Sequence, residues 1–398
     1  MEEILKVALD NMPGLKKPQK TFILMLLSAF MTFVGKATFR NLSRYSGLHE
    51  KRISRWFLRT FAFLALNSQL LSAILSKDSE IIAAMDASFL PKSGKHTEGL
   101  AKFWDSKSNK AQKGLEVSLI SVVDIKANTA YAMDARQTVD REGKTRTDLY
   151  AEHLVSTAED LKRQGVTHVA VDAFYTKVGY VNPVCATGLH PIGKLRHDAK
   201  MRWLFQGEYS GRGCPRKFDG NIKIDRDIER FSHVKKIEEG KDIYSAVVNY
   251  PCFKRSILVV LLRDTSNPKK VGHALLYTTD LDLDPLKLYS YYQARYQIEF
   301  VFRDAKQHTG LMDCQARNSK SINNHLNTSF CALNLMKLED RLNKKTDDKT
   351  VISIASWKRR KFNQQYMKKL FSNLGLDLKS KKVWQVFSQF SSYGEIAA

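Results

Sequence analysis

Over the first 78 residues, apolar positions recur every three to four residues and do not alternate strictly with polar ones. That period predicts helices at about 4–20, 21–35, 38–46, 49–57 and 60–76. Within them, "TFRNLSRYSGLHEKRISRWF" (38–57) reads as a helix-turn-helix. Phe39 and Leu42 give the first helix an apolar side, and Gly47 supplies the turn. Ile53, Trp56 and Phe57 anchor the second helix, while His49, Lys51, Arg52, Ser54 and Arg55 face outward. The competing reading is a plain helical bundle with a basic exterior.

At residue 80 the texture changes. "EIIAAMDASFL" (80–90), "GLEVSLISVVDIK" (114–126) and "TAYAMDARQTV" (129–139) read as strands, the last two joined by a tight turn at Ala127–Asn128. Residues 146–164 suit a helix stopped by Gly165. Short strands follow at 167–175 and 189–196. From about 198 to 284 the chain carries a Gly-rich basic turn and strand-like runs at 221–226, 243–249, 255–264 and 273–279. A helix then runs from Pro285 to Gly310, another covers 312–340, and a basic helical tail closes the chain. The order of elements predicts a mixed α/β fold, a sheet with helices packed on it. Its parts are a helical domain at 1–78, a core at 79–197 and 285–340, a β-rich insertion at 198–284 and a basic helical region at 341–398.

Charge changes the picture most. The chain has 398 residues with 64 Lys+Arg against 41 Asp+Glu, a net charge of +23 spread along its whole length. An excess of this size points to a polyanion, most simply nucleic acid. The longest apolar run, 22–34, is too short to span a bilayer and is read as a buried helix; no basic amphipathic anchor argues for a membrane partner. The five cysteines are scattered without CxxC spacing, as expected of a reducing, cytoplasmic compartment. Cys185 and His190 form either half of a metal site or a small buried group beside a surface histidine.

The candidate chemistry lies in three acids. Asp86 and Asp172 each end a short apolar strand, where a carboxylate is costly to desolvate unless paired or bound to a cation. Hard divalent cations want several oxygens, and Glu299 on the helix 285–310 is the third. Around it, Tyr292, Arg295, Glu299 and Lys306 fall in one sector of a continuous helix, beside the apolar stripe of Ala294, Ile298, Val301, Phe302 and Ala305. The bland reading of that sector is a solvated face with local ion pairs Arg295–Glu299 and Glu299–Arg303.

The arrangement resembles the DDE transposases of bacterial insertion sequences, members of the RNase H-like superfamily that includes retroviral integrases. "YQARYQIEFVFRDAK" fits the spacing Y-x2-R-x3-E-x6-K at Tyr292, Arg295, Glu299 and Lys306. "MDASFLPKSGKHTEG" and "VDAFYTK" resemble the first two motifs of the family. The resemblance implies an RNase H-like core, with Asp86, Asp172 and Glu299 as catalytic residues holding two Mg²⁺ or Mn²⁺. Tyr292, Arg295 and Lys306 would then hold DNA phosphates, as their donor chemistry also suits. It further implies double-stranded DNA as partner, at the transposon ends and at the target. A homodimer on DNA and a bacterial, nucleoid-associated location follow, with no small-molecule substrate.

Further DNA contacts are expected at Arg303, at Arg52 and Arg55, and at Arg212, Arg216 and Lys217 of the turn "SGRGCPRKF". Trp203, or Tyr209, is a candidate to hold a flipped base, against ordinary core packing for Trp203. Trp104, in an expected loop near Lys107, Lys110 and Lys113, either stacks on a base or caps the sheet. The rival functions are a metal nuclease of the same fold that only hydrolyses, and a helix-turn-helix regulator whose core is dead.

Overall fold

The computed structural model describes residues 2–76, 79–209, 211, 213–267, 271–343 and 352–395. Its helical start comprises α1 (Glu2–Asp10), α2 (Lys17–Thr32), α3 (Phe39–Ser46), α4 (Glu50–Phe57) and α5 (Phe63–Ser72). The helix expected over 4–20 stops earlier, at Asp10. Pro13 and Gly14, the latter at φ 73°, break it, and Pro18 suits the first turn of α2 instead. Gly47 ends α3 in the left-handed region, at φ 69°. Phe39 and Phe57 then meet edge to face at 4.8 Å, which sets α3 against α4.

The sheet begins with β1 (Ile81–Pro91), β2 (Ala101–Asp105), β3 (Lys110–Asp124) and β4 (Thr129–Gln137). Then come α6 (Arg146–Arg163), β5 (His168–Ala170), a 3₁₀ turn at Ala173–Tyr175, α7 (Val178–Ala186) and β6 (His190–Leu195). β3 runs antiparallel to β1, whereas β1, β5 and β6 are mutually parallel. The turn at Ala127–Asn128 forms as expected, with Asn128 at φ 47°. β2 was not expected, and Trp104 lies on it, exposed, rather than in a loop.

Residues 198–284 contribute β7 (Arg202–Leu204), β8 (Phe218–Asn221), β9 (Ser232–Glu238), β10 (Lys241–Tyr250), β11 (Arg255–Asp264) and β12 (Gly272–Thr278). They do not build a sheet of their own. β12 pairs antiparallel with β6 from Thr278↔Ile192 to Leu275↔Leu195, and β11 and β10 extend the same twelve-stranded sheet.

The chain continues through α8 (Pro285–Ala294), α9 (Gln297–His308) and α10 (Ser319–Asn343) to α11 (Ile354–Asn373) and α12 (Lys381–Ser391). Where one unbroken helix was expected, the backbone tightens between α8 and α9. The N–H groups of Tyr296, Ile298 and Glu299 each bond three residues back, to Gln293, Arg295 and Tyr296.

Strand alternation sorts the core into two faces. Ile82 and Ala84 of β1 join one apolar cluster with Leu26 and Phe30 of α2, Ile298 and Val301 of α9 and Leu326 and Phe330 of α10. Ile81, Ala83 and Met85 join the other, with Leu154 and Leu161 of α6 and Val181 of α7. The first five helices therefore share an interior with the sheet. Each fully buried Leu or Phe in it contributes about 1.5–3 kcal/mol.

α10 also closes an open sheet edge. Asn327 Oδ1 and Nδ2 bond Ala135 N and O at 3.1 and 2.7 Å, and Asn334 does the same for Ala132 at 2.9 and 2.6 Å. Asn323 Oδ1 accepts from Gln137 N at 2.9 Å. Among the described residues, no helix is long and apolar enough to cross a membrane.

Candidate active site

β1 is buried from Ile81 to Met85 and becomes partly exposed at Asp86. Its parallel partner β5 aligns Ala83 with Val169 and Ala84 with Ala170. Asp86 and Asp172 each follow two residues later. Neither acid ends a strand as expected: Asp86 lies within β1, which runs on to Pro91, and Asp172 lies just past the end of β5, as N-cap of the 3₁₀ turn. Strand alternation puts Asp86 on the face of Ala84, which α9 covers. The apolar residues that bury α9 turn Glu299 toward the same end.

The charges there interact. The Asp86 carboxyl is pushed up from 3.8 to about 6, chiefly by burial. The like charges of Asp172 and Glu299 add to the rise, while the Ala87 N–H and the Arg295 guanidinium oppose it. Asp86 Oδ1 accepts from Ala87 N at 2.8 Å, and Asp172 Oδ1 accepts from Phe174 N at 2.7 Å, capping the 3₁₀ turn. Glu299 Oε1 faces Arg295 Nη2 at 3.4 Å. Among the described residues, no group of three His, Cys, Asp or Glu side chains is gathered tightly enough to hold a metal ion as it stands. Even so, an all-carboxylate donor set whose buried member is disfavoured as an anion suits a hard divalent cation.

The flanking residues of the helical sector divide as follows. The Arg295 guanidinium lies 5.9 Å from the Tyr292 ring, its Nε is buried without a partner, and burial raises the Tyr292 hydroxyl. Lys306 Nζ reaches across to β1, donating to Ser88 Oγ at 2.7 Å and to Phe89 O at 3.3 Å. Burial pushes its ammonium down, with Lys107 adding and Asp105 and Asp86 opposing. Arg303 pairs with Asp304 at 3.0 Å and stacks over Phe300, so of the two ion pairs in the solvated-face reading Glu299–Arg303 does not form.

The outlying candidates are dispersed. Arg52 and Arg55 are exposed on α4. Trp203 is 6% exposed, donates to Asp227 at 3.1 Å and lies under Arg230, so its indole is a core group and not a free stacking surface. Tyr209 is exposed. Arg216 binds Asp219 at 2.7 Å, Lys217 is exposed, and Arg212 lies outside the described residues. Cys185 and His190 both bond Thr279 Oγ1, at 3.5 and 3.3 Å, as structural groups.

Two arrangements escaped the sequence reading. Ser88, the partner of Lys306, stands two residues after Asp86, within reach of a strand-alternation argument. A chain from Ser118 to His153 at 3.0 Å and on to Asp134 at 3.1 Å mimics a nucleophile relay. Ser118 and His153 are only 3% exposed, so substrate does not reach them.

A family model described as the transposase DDE domain matches residues 77–335, well over half of the chain. Comparison with curated proteins gives no match.

Proposed function

The chain belongs to the transposase DDE-domain family, whose members cut DNA in transposition, and from that premise we propose that it performs cut-and-paste transposition through Asp86, Asp172 and Glu299. The observation that supports this reading is that Asp86 and Asp172 each follow by two residues the last paired positions of parallel β1 and β5, Ala84 and Ala170, and that the charges of both Asp172 and Glu299 act on the Asp86 carboxyl.

The three carboxylates would hold two Mg²⁺ or Mn²⁺ ions, which when bound activate the attacking oxygen and stabilise the leaving one. The protein's own groups do the positioning. Arg295 offers a planar fork to a phosphate, already aligned by Glu299 and Tyr292. Lys306, anchored on Ser88, brings an ammonium to the stretch of β1 two residues past Asp86. The nucleophile is water for nicking and a DNA 3′-OH for joining to target. Arg52 and Arg55 on α4 would contact the terminal inverted repeats, Lys217 and Tyr209 would line the flank, and two chains would pair the two ends. Residues 1–78 would be the end-recognition domain, and 198–284 a platform for the flank.

The test is cleavage of a duplex carrying the ends that bracket the gene, followed by mixing precleaved ends with a plasmid. Asp86→Asn is expected to abolish metal-dependent cleavage while leaving DNA binding intact, and the wild type to yield joined product. Unchanged cleavage in the variant overturns the site; cleavage without joining leaves a hydrolytic nuclease.

A further inference from the structure

A cavity of about 380 Å³ opens where α2, α9 and α11 meet. Its walls carry Lys36 from the turn after α2, Lys306 and His308 from α9, and Lys358 and Arg359 from α11. The wall also carries one acid, Asp313, whose Oδ2 accepts from Ala37 N at 2.8 Å and whose charge acts on Lys358; one carboxylate does not balance the cations around it. Lys358 is held in place. Its Nζ donates to His308 O at 2.6 Å and lies 3.9 Å from the centre of the Phe33 ring. One of its three N–H groups is thus used, and two are left to meet a ligand.

Cations brought together from three separate segments repel one another and cost stability unless an anion joins them. Lys306 fixes where that anion comes from. It lines this cavity and also bonds Ser88, so the cavity adjoins the part of β1 just past Asp86.

We infer that the cavity is a phosphate subsite that grips one phosphodiester of the DNA strand running past the active site, with Lys36, Lys358 and Arg359 as its ligands. The inference rests on the proposed DNA reading and gives the C-terminal helix a function within it. Burial also pushes the Lys358 ammonium down to about 8 although the Asp313 carboxylate opposes the shift, so a further anion would favour its charged form.

The experiment is DNA binding measured against salt, using the full-length protein and a duplex of the gene's own end. Lys36 and Arg359 are exposed, so Lys36→Ala and Arg359→Ala preserve the fold. Each is expected to flatten the slope of log K against log salt by about 0.9. Replacing single phosphates by neutral methylphosphonates is expected to weaken the wild type at one position to which the double variant is indifferent. Slopes equal to wild type in both variants overturn the subsite while leaving the DNA reading standing. So does stabilisation of the protein by inorganic phosphate with no change in either slope. A wild type that binds no DNA removes both.

Discussion

Lys306 of α9 and Ser88 of β1 are joined at 2.7 Å, although 218 residues separate them in the chain. This bond fixes the helix that carries Glu299 to the strand that carries Asp86. Losing it loosens the site without unfolding the core. Lys306→Ala is expected to lower single-turnover cleavage about 10²-fold, with a melting temperature within a few degrees of wild type. An unaltered cleavage rate would show that the contact is incidental.

Asp86 also makes a stability prediction. Its folded pKa, about 6, lies above its unfolded value of 3.8. Stability is therefore full below the unfolded value and is lost as pH rises through the folded one. At neutral pH, metal-free Asp86→Asn is expected to exceed wild type by up to about 3 kcal/mol, a gap that closes below the unfolded pKa. Urea denaturation at neutral and acid pH measures it; a neutral or destabilising effect at pH 7 contradicts the burial argument.

Arg295 and Glu299 are paired at 3.4 Å on consecutive turns. The pair itself is worth little to folding, since Glu299 is substantially exposed. Arg295→Lys keeps the charge but loses the planar fork. It is expected to retain stability and DNA binding yet lose most cleavage, as read by band-shift and single-turnover assays on one preparation. Full activity would remove phosphate positioning from its role.

Asn334 tests the sheet edge. Asn334→Leu leaves Ala132 N–H and C=O buried without partners. The expected loss is about 1–3 kcal/mol for each unsatisfied group, measured by urea denaturation. A loss under about 0.5 kcal/mol, the usual surface range, would mean that the edge needs no cover.

What the sequence disclosed follows from range. The strands beside Asp86 and Asp172 were legible as short apolar runs that meet a carboxylate, but not their bounds: β1 runs on to Pro91 because Ala87–Pro91 pair with β3, and β5 stops at Ala170; the helix of Glu299 was legible because its apolar stripe is local. The tightening between Tyr292 and Glu299 was not legible, since no Gly or Pro marks it. Nor was the pairing of β12 with β6, or the use of Asn327 and Asn334 against β4, because these depend on partners far away in the chain. Core packing, weighed for Trp203 against a base-holding role, is what forms, and the groups that pack it, Phe231 and Arg230, lie too far along the chain to be named from the sequence.

The most direct measurement is the count of Mn²⁺ ions bound per chain in the DNA complex, by electron paramagnetic resonance. We expect about two for the wild type and fewer for each of Asp86→Asn, Asp172→Asn and Glu299→Gln. Equal counts in the wild type and all three variants would contradict the shared metal site.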